Sequence, residues 1–240
     1  MQNIDFSVWL ILGAPAIVAF VGGGGFWAYC QAKSSSMAEA GEKFKLYTWA
    51  VWPAASLAYF IFVYAVMPAA MRTTLLDGIS FSPGALIASA GLGIFLSIIS
   101  IIAMKSSFRN KPEETLPFLA VEFRELPGLV IIAPLAEEWV FRGYGALSLS
   151  EAPIIAAALI TSAAFALMHF KPWLIVYSFF VGLAFFVLFS ATDNILTAII
   201  AHAAANGFIW IWMRREASRL RAVIASNQSS KQSERPNLPQ

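Results

Sequence analysis

The chain has 240 residues, of which 59% are hydrophobic and only 12% are charged, and its mean hydropathy is +0.70. In a soluble domain roughly one-quarter of the residues are charged, so this composition excludes a soluble domain and indicates an integral membrane protein. A net charge of +2, spread thinly between apolar windows, also excludes a nucleic-acid surface, and the single cysteine, Cys30, excludes an internal disulfide and a cysteine-based zinc cluster.

Apolar windows of about 20 residues, the length that crosses a hydrocarbon core, recur along the chain. The first is interpreted as a transmembrane helix rather than a signal peptide, because it carries Asp5 instead of a basic start. The seven predicted spans are 7–30, 47–70, 84–104, 127–147, 152–170, 173–191 and 194–213.

The sequence therefore predicts an all-α protein, a polytopic transmembrane helical bundle of about seven spans in one membrane domain, residues 1–213. The motif-bearing core is 127–213, where short connections predict antiparallel neighbouring helices. Residues 214–240 begin as a basic continuation of the last helix and end polar and proline-containing, and we expect a largely disordered cytoplasmic tail there. The segment LPFLAVEFREL, residues 116–126, is expected to form an interfacial helix or an extension of the fourth span.

The distribution of Lys and Arg predicts the orientation, because cytoplasmic loops carry the excess of basic residues. With the N-terminus outside and the C-terminus in the cytoplasm, 14 of the 16 basic residues lie on the cytoplasmic side. The exceptions are Arg72 and Arg142, and Arg142 lies inside a span.

Polar residues inside the spans form three groups, and such residues normally face the bundle interior and mark function. They are Glu137, Glu138 and Arg142 on the fourth span, His169 near the end of the fifth, and His202 with Asn206 on the seventh. Each group lies in the second half of the chain.

Helical spacing separates the two carboxylates. Glu138 and Arg142 are four residues apart, which stacks them on one helix face as an ion pair. Glu137 points about 100° away from Glu138, so it is predicted to remain free and to face the histidines. Similar depths along their spans predict that Glu137 and His202 meet in a cavity open to the cytoplasm.

The chemistry predicted from one free carboxylate, two imidazoles and an amide is hydrolysis: the carboxylate activates water, and a His or Asn stabilises an oxyanion. The same types of side chain suit a metal, with Glu137, His169 and His202 as candidate ligands and zinc as the candidate ion. No H-E-x-x-H motif is present, so both mechanisms remain open.

Three other functions are compatible with intramembrane charges. The residues could be a structural ion-pair network that fixes helix register. They could relay protons in a transporter, although the chain has neither repeats nor helix breaks in matching halves. They could also belong to a non-catalytic scaffold that binds a partner protein or a lipidated peptide.

Three motifs resemble those of one family. EEWVFR fits E-E-x-x-x-R, FALMH fits F-x-x-x-H, and HAAAN fits H-x-x-x-N. Their order and placement resemble the CAAX protease and bacteriocin-processing family, also called the Abi family, of intramembrane proteases. The first three spans carry no motif.

The resemblance implies a helical core around a cytoplasm-facing catalytic cavity, and hydrolysis of peptide bonds in prenylated or other membrane-associated proteins or peptides. By matching position, Glu137 is similar to the water-activating base, with Glu138 and Arg142 as supporting residues. His169 matches a site histidine, and His202 with Asn206 matches the oxyanion or metal-side pair. We expect such a protein in a bacterial plasma membrane, with the bilayer and its substrate as its partners.

Overall fold

The computed structural model describes residues 5–108, 116, 119, 121–169 and 172–233. All regular structure in these ranges is helical, which confirms the predicted all-α bundle. We name the longer helices α1 to α8 in chain order: α1 Phe6–Ala32, α2 residues 37–66, α3 Ala69–Asp77, α4 Pro83–Phe108, α5 residues 128–148, α6 Ile154–Ala166, α7 Pro172–Thr192 and α8 Ile195–Ser233.

Five helices of the described chain are long and apolar enough to cross a membrane, namely α1, α2 from Glu39, α4, α7 and α8. Helix α5 coincides with the predicted fourth span but carries three charged side chains. Helix α6 has 13 residues and is therefore about 20 Å long, shorter than a hydrocarbon core of about 30 Å.

The predicted fifth span, 152–170, was too long, because the helix begins at Ile154 and ends at Ala166. Pro153 caps the start of the helix. At the other end, Leu167 to His169 form a turn instead of continuing it. Apolar composition continues through this turn, so hydropathy alone could not place the end.

The prediction of a largely disordered 214–240 segment was wrong for residues 214–233, which continue helix α8. Two features stabilise the extension. Arg219 pairs with Glu216 at 3.5 Å, one helical turn apart, and the apolar side chains of Ala217 and Leu220 pack with Leu119. Residues 234–240 lie outside the described residues. Of the segment 116–126, the described residues 116 and 119 are helical, 121 and 122 are not, and Phe123–Glu125 form a 3-10 turn that continues through helical residues 126 and 127 into α5.

Helix α5 lies at the centre of the bundle. It contacts α1, α2, α3, α6, α7 and α8, and all seven residues of Trp139–Gly145 are buried. This central segment of α5 is therefore shielded from lipid, so it can carry a charged side chain that a lipid-facing segment could not.

Helix α8 is held very close to α4 by small residues. A side-chain carbon at Gly93 would overlap the Ala201 carbonyl oxygen, so only glycine permits this separation of the two backbones. One turn along α4, the hydroxyl of Ser97 donates a hydrogen bond to the Ala205 carbonyl at 3.0 Å. These contacts fix the height and rotation of α8, and therefore the position of His202.

Candidate active site

The first component of the site is an ion pair within α5. Glu138 and Arg142 are both fully buried, and Arg142 Nη1 lies 3.1 Å from Glu138 Oε2 and 3.2 Å from Oε1. The pairing predicted from the four-residue spacing is thus confirmed. The helix widens into π-type hydrogen bonding over Trp139–Gly145, immediately after Glu138, a distortion that occurs often at functional sites.

Helices α6 and α7 enclose the guanidinium of Arg142. The Nη2 atom of Arg142 donates a hydrogen bond to the Gly182 carbonyl on α7 at 2.9 Å. The Cζ atom of Arg142 lies 4.7 Å from the ring centre of Phe165 on α6 and 5.8 Å from that of Phe185 on α7. A side-chain carbon at position 182 would lie 3.1 Å from Nη2 and 3.0 Å from Ser162 Cβ. Glycine therefore lets the helix backbone reach the arginine.

The second component is His202 on α8, which joins the two carboxylates. Its Nδ1 lies 2.7 Å from Glu138 Oε1, and its Nε2 lies 3.8 Å from Glu137 Oε2. A carboxylate accepts hydrogen bonds, so the Glu138 contact places a hydrogen on Nδ1 and directs Nε2 toward Glu137. The sequence predicted that Glu138 would serve Arg142 alone, whereas the structure shows that it binds both Arg142 and His202.

The third component is a cavity of about 380 Å³ against Glu137. The Glu137 side chain keeps 14% of its surface exposed, whereas Glu138 keeps none. Apart from Glu137, the walls are mostly apolar and come from α1, α2, α5 and the turn after α6; they include Pro15, Trp52, Tyr59, Phe62, Val140 and Met168. The free carboxylate predicted from the sequence thus lies on the wall of a cavity.

His169 lies beyond the end of α6 and beside the cavity-lining Met168. Its Nδ1 is 3.3 Å from the Ala166 carbonyl, and its ring meets the Phe165 ring edge-on at 5.5 Å. Phe165 also contacts the ring of His202 at 5.7 Å. One aromatic side chain therefore bridges the two histidines. Helix α6 ends at Ala166, so His169 does not share a helix face with Phe165.

Asn206 lies one turn beyond His202 on α8, but its amide is directed at the backbone of α5. Its Nδ2 donates a hydrogen bond to the Leu129 carbonyl at 2.9 Å. Four residues further on, Trp210 Nε1 donates to the Glu122 carbonyl at 3.2 Å. His202, Asn206 and Trp210 thus lie on one face of α8 and bind Glu138, Leu129 and Glu122 in turn. The hydrogen bond to Leu129 gives Asn206 a positioning role.

The chain leading into α5 is also tied to α2. Lys45 Nζ lies 2.9 Å from Glu122 Oε1, and this hydrogen bond holds the pKa of Glu122 below its usual range. The approach to the site is therefore anchored on both sides, by Lys45 from α2 and by Trp210 from α8.

Within the described ranges, no three His, Cys, Asp or Glu side chains are grouped so that they could hold a metal ion. Glu137, His169 and His202 do not form a three-ligand set in this conformation, and we derive no step through a metal.

Several residues of the site were not predicted from the sequence. Gly182 and Phe185 on α7 enclose Arg142, and Gly93 on α4 sets the place of α8. The two glycines, each in the middle of a long apolar run, were the available signal, because glycine inside a transmembrane helix often marks close helix contact. The aromatic residues of α2 that line the cavity carry no motif.

The family described as type II CAAX prenyl endopeptidase, Rce1-like, matches residues 120–208. No curated protein and no solved structure matches the chain. The matched range starts just before α5 and ends in α8, so it contains all six predicted site residues. It confirms the resemblance carried by the three motifs, and it supports a CAAX-type intramembrane endopeptidase in general terms.

Proposed function

We propose that the chain, whose residues 120–208 match the type II CAAX prenyl endopeptidase, Rce1-like family, hydrolyses peptide bonds of membrane-associated proteins with water activated by Glu137. The observation that carries the proposal is the line of three side chains in which Glu138 orients His202 and His202 faces Glu137. Of these three, Glu137 alone reaches the cavity.

In the proposed reaction, a water molecule binds between Glu137 and Nε2 of His202. Glu137 takes one proton from this water while the oxygen of the water attacks the carbonyl carbon of the substrate and forms a tetrahedral intermediate. When the carbon–nitrogen bond breaks, Glu137 gives the proton that it took from the water to the leaving amine. The products are a new carboxylic acid and a free amine, and the enzyme returns to its starting protonation state.

Glu138 and Arg142 hold His202 in place without contacting the substrate. The hydrogen bond from Nδ1 to Glu138 keeps the lone pair of Nε2 available to the water, and it stabilises the imidazolium if the ring takes the proton. Arg142 balances the charge of Glu138, so a second carboxylate can be buried next to Glu137. His169 follows the cavity-lining Met168 in the chain, and we assign it to contact with the substrate.

The walls of the cavity favour an apolar group next to the scissile bond. Trp52, Tyr59, Phe62 and Met168 present rings and a thioether rather than charges, which suits a hydrophobic side chain or a covalently attached lipid chain. A prenylated protein or another membrane-anchored peptide is therefore the proposed substrate class.

The test uses the purified full chain in lipid nanodiscs with prenylated and unprenylated membrane peptides, with and without a chelator. We expect peptide cleavage by the native chain, cleavage at least 100-fold slower by Glu137→Gln, and native rates for Glu151→Gln, which makes the same change on an exposed loop. A rate for Glu137→Gln close to the native one would refute the assignment of the base. Binding without cleavage under every condition would favour the scaffold, and His202-dependent ion flux in proteoliposomes would favour the transporter.

A further inference from the structure

A second cavity, of about 390 Å³, lies at the far end of the membrane-crossing part of α8. Three of its six lining residues are arginines, Arg214, Arg215 and Arg221, and the others are Val121, Ala217 and Ser218. It does not include any residue of the candidate active site. A concave surface that concentrates three guanidinium groups in this way is suited to bind an anion.

The chemistry of the lining selects phosphate among anions. Guanidinium groups bind phosphate oxygens through paired N–H donors, a geometry that lysine does not offer. Arg214, Ser218 and Arg221 follow each other at spacings of four and three residues, so they share one face of α8. The hydroxyl of Ser218, which donates to the Arg214 carbonyl at 3.0 Å, still offers oxygen lone pairs to a bound water or headgroup hydroxyl.

The position of the cavity indicates where the phosphate comes from. The apolar stretch of α8 ends in Trp210, Trp212 and Met213, and the arginines begin at the next residue. Tryptophans followed by basic residues mark the boundary between hydrocarbon and headgroups. Arg214 is stacked on Trp210, 4.8 Å from the ring centre, so one wall of the cavity is fixed at this boundary.

Other side chains of the same helical segment have partners outside the cavity. Leu220 packs with Leu119, and Arg219 pairs with Glu216 at 3.5 Å. Arg219 therefore differs from the three cavity arginines, although it lies on the same helix within the same eight residues, 214–221. This difference provides an internal control.

We propose that Arg214, Arg215, Ser218 and Arg221 form a binding site for the phosphate headgroup of an anionic phospholipid. The site is independent of peptide hydrolysis, so it can be present or absent whether or not the proposed protease activity is correct. A lipid bound there holds the start of the α8 extension at the membrane surface. Because Val121 also lines the cavity, the bound lipid holds the segment that leads into α5 there as well.

The binding experiment uses the full chain in a neutral detergent, titrated separately with dioctanoyl phosphatidylglycerol, dioctanoyl phosphatidylcholine and inorganic phosphate. We expect saturable binding of phosphatidylglycerol and much weaker binding of the other two. Equal binding of phosphatidylcholine would overturn the proposal, and so would the absence of binding. If inorganic phosphate bound as tightly as phosphatidylglycerol, a free anion rather than a lipid would be the ligand, and the proposed source would be wrong.

The variants separate a defined site from general charge. Arg215→Gln with Arg221→Gln should weaken phosphatidylglycerol binding by about 25-fold, since each basic residue near a membrane surface contributes about a fivefold factor. The control, Arg219→Gln with Lys231→Gln, removes the same charge from the same helix and should leave affinity nearly unchanged. Equal weakening in both variants would overturn the proposal. Arg221→Gln alone, expected to weaken binding about fivefold, supplies the test if the double variant does not fold.

Discussion

Glu138 is the residue whose replacement distinguishes a structural from a chemical role for the two carboxylates. It is fully buried and accepts hydrogen bonds from Arg142 at 3.2 Å and from His202 at 2.7 Å. The change Glu138→Gln keeps the size of the side chain but removes the charge that balances Arg142. The guanidinium is also fully buried, so it would lose its only described carboxylate partner while remaining in place.

The size of the effect follows from the burial. Removing one partner of a buried ion pair costs about 3–5 kcal/mol, because the other charge stays uncompensated. The lower value, about 3 kcal/mol, applies here, since Arg142 keeps its hydrogen bond to the Gly182 carbonyl and its contact with Phe165. Glu137→Gln should lower the unfolding free energy by less than about 1 kcal/mol, because Glu137 has partly exposed surface and its nearest ionisable partner is His202, at 3.8 Å, rather than an arginine.

The assay is reversible unfolding in mixed micelles with increasing denaturing detergent, followed by tryptophan fluorescence, with Glu151→Gln as the control for loss of one negative charge. A difference of about 2 kcal/mol between Glu138→Gln and Glu137→Gln is expected from these two costs. Equal stabilities of the two variants would show that Glu138 does not carry the ion pair, and the proposed division of roles would fail.

Three further predictions concern the site and its supports. Glu137→Gln should lower kcat at least 100-fold, about the minimum contribution of a general base, measured as peptide cleavage in nanodiscs. Gly93→Ala should destabilise the protein because the methyl group overlaps a carbonyl of α8, whereas Gly91→Ala, with open space around it, should not; unfolding measurements compare the pair. Asn206→Ala should cost about 1 kcal/mol of stability through its lost bond to Leu129, and Asn206→Asp should not restore it.

Each of these outcomes can contradict the corresponding assignment. Equal stability of the two glycine variants would mean that α4 and α8 are not packed as closely as described. If Asn206→Ala abolished cleavage without changing stability, the amide would act on the reacting atoms rather than on the backbone of α5. Measurement of kcat and stability on the same samples separates these cases.

The sequence predicted the elements and the partners of the site well because both depend on local patterns. Apolar length identified the helices, and the four-residue spacing identified the pair of Glu138 and Arg142. The similar depths predicted for Glu137 and His202 agree with their contact at 3.8 Å. Each of these inferences needs only the rise and the period of a helix.

Other features depend on how the helices are rotated against one another, and the sequence alone does not reveal this rotation. The second bond of Glu138, to His202, arises from the rotation of α8 against α5, and that rotation is set by the close approach at Gly93. The direction of the Asn206 amide follows from the same packing. The full length of the helical extension at 214–233 was not predicted, because the polar composition was given more weight than the helix-forming residues.

The burial of the two carboxylates follows from the position of α5 among its neighbours. Neighbouring helix positions diverge by about 100°, so Glu138 points toward α7 and α8 while Glu137 points toward the cavity beside α1 and α2. Helices α6, α7 and α8 therefore surround the fixed charges. Helices α1 and α2, which carry no motif, supply most of the surface that a substrate would meet. Selectivity should accordingly change with substitutions at Trp52, Tyr59 and Phe62, whereas the rate for a given bound peptide should change with the residues around His202.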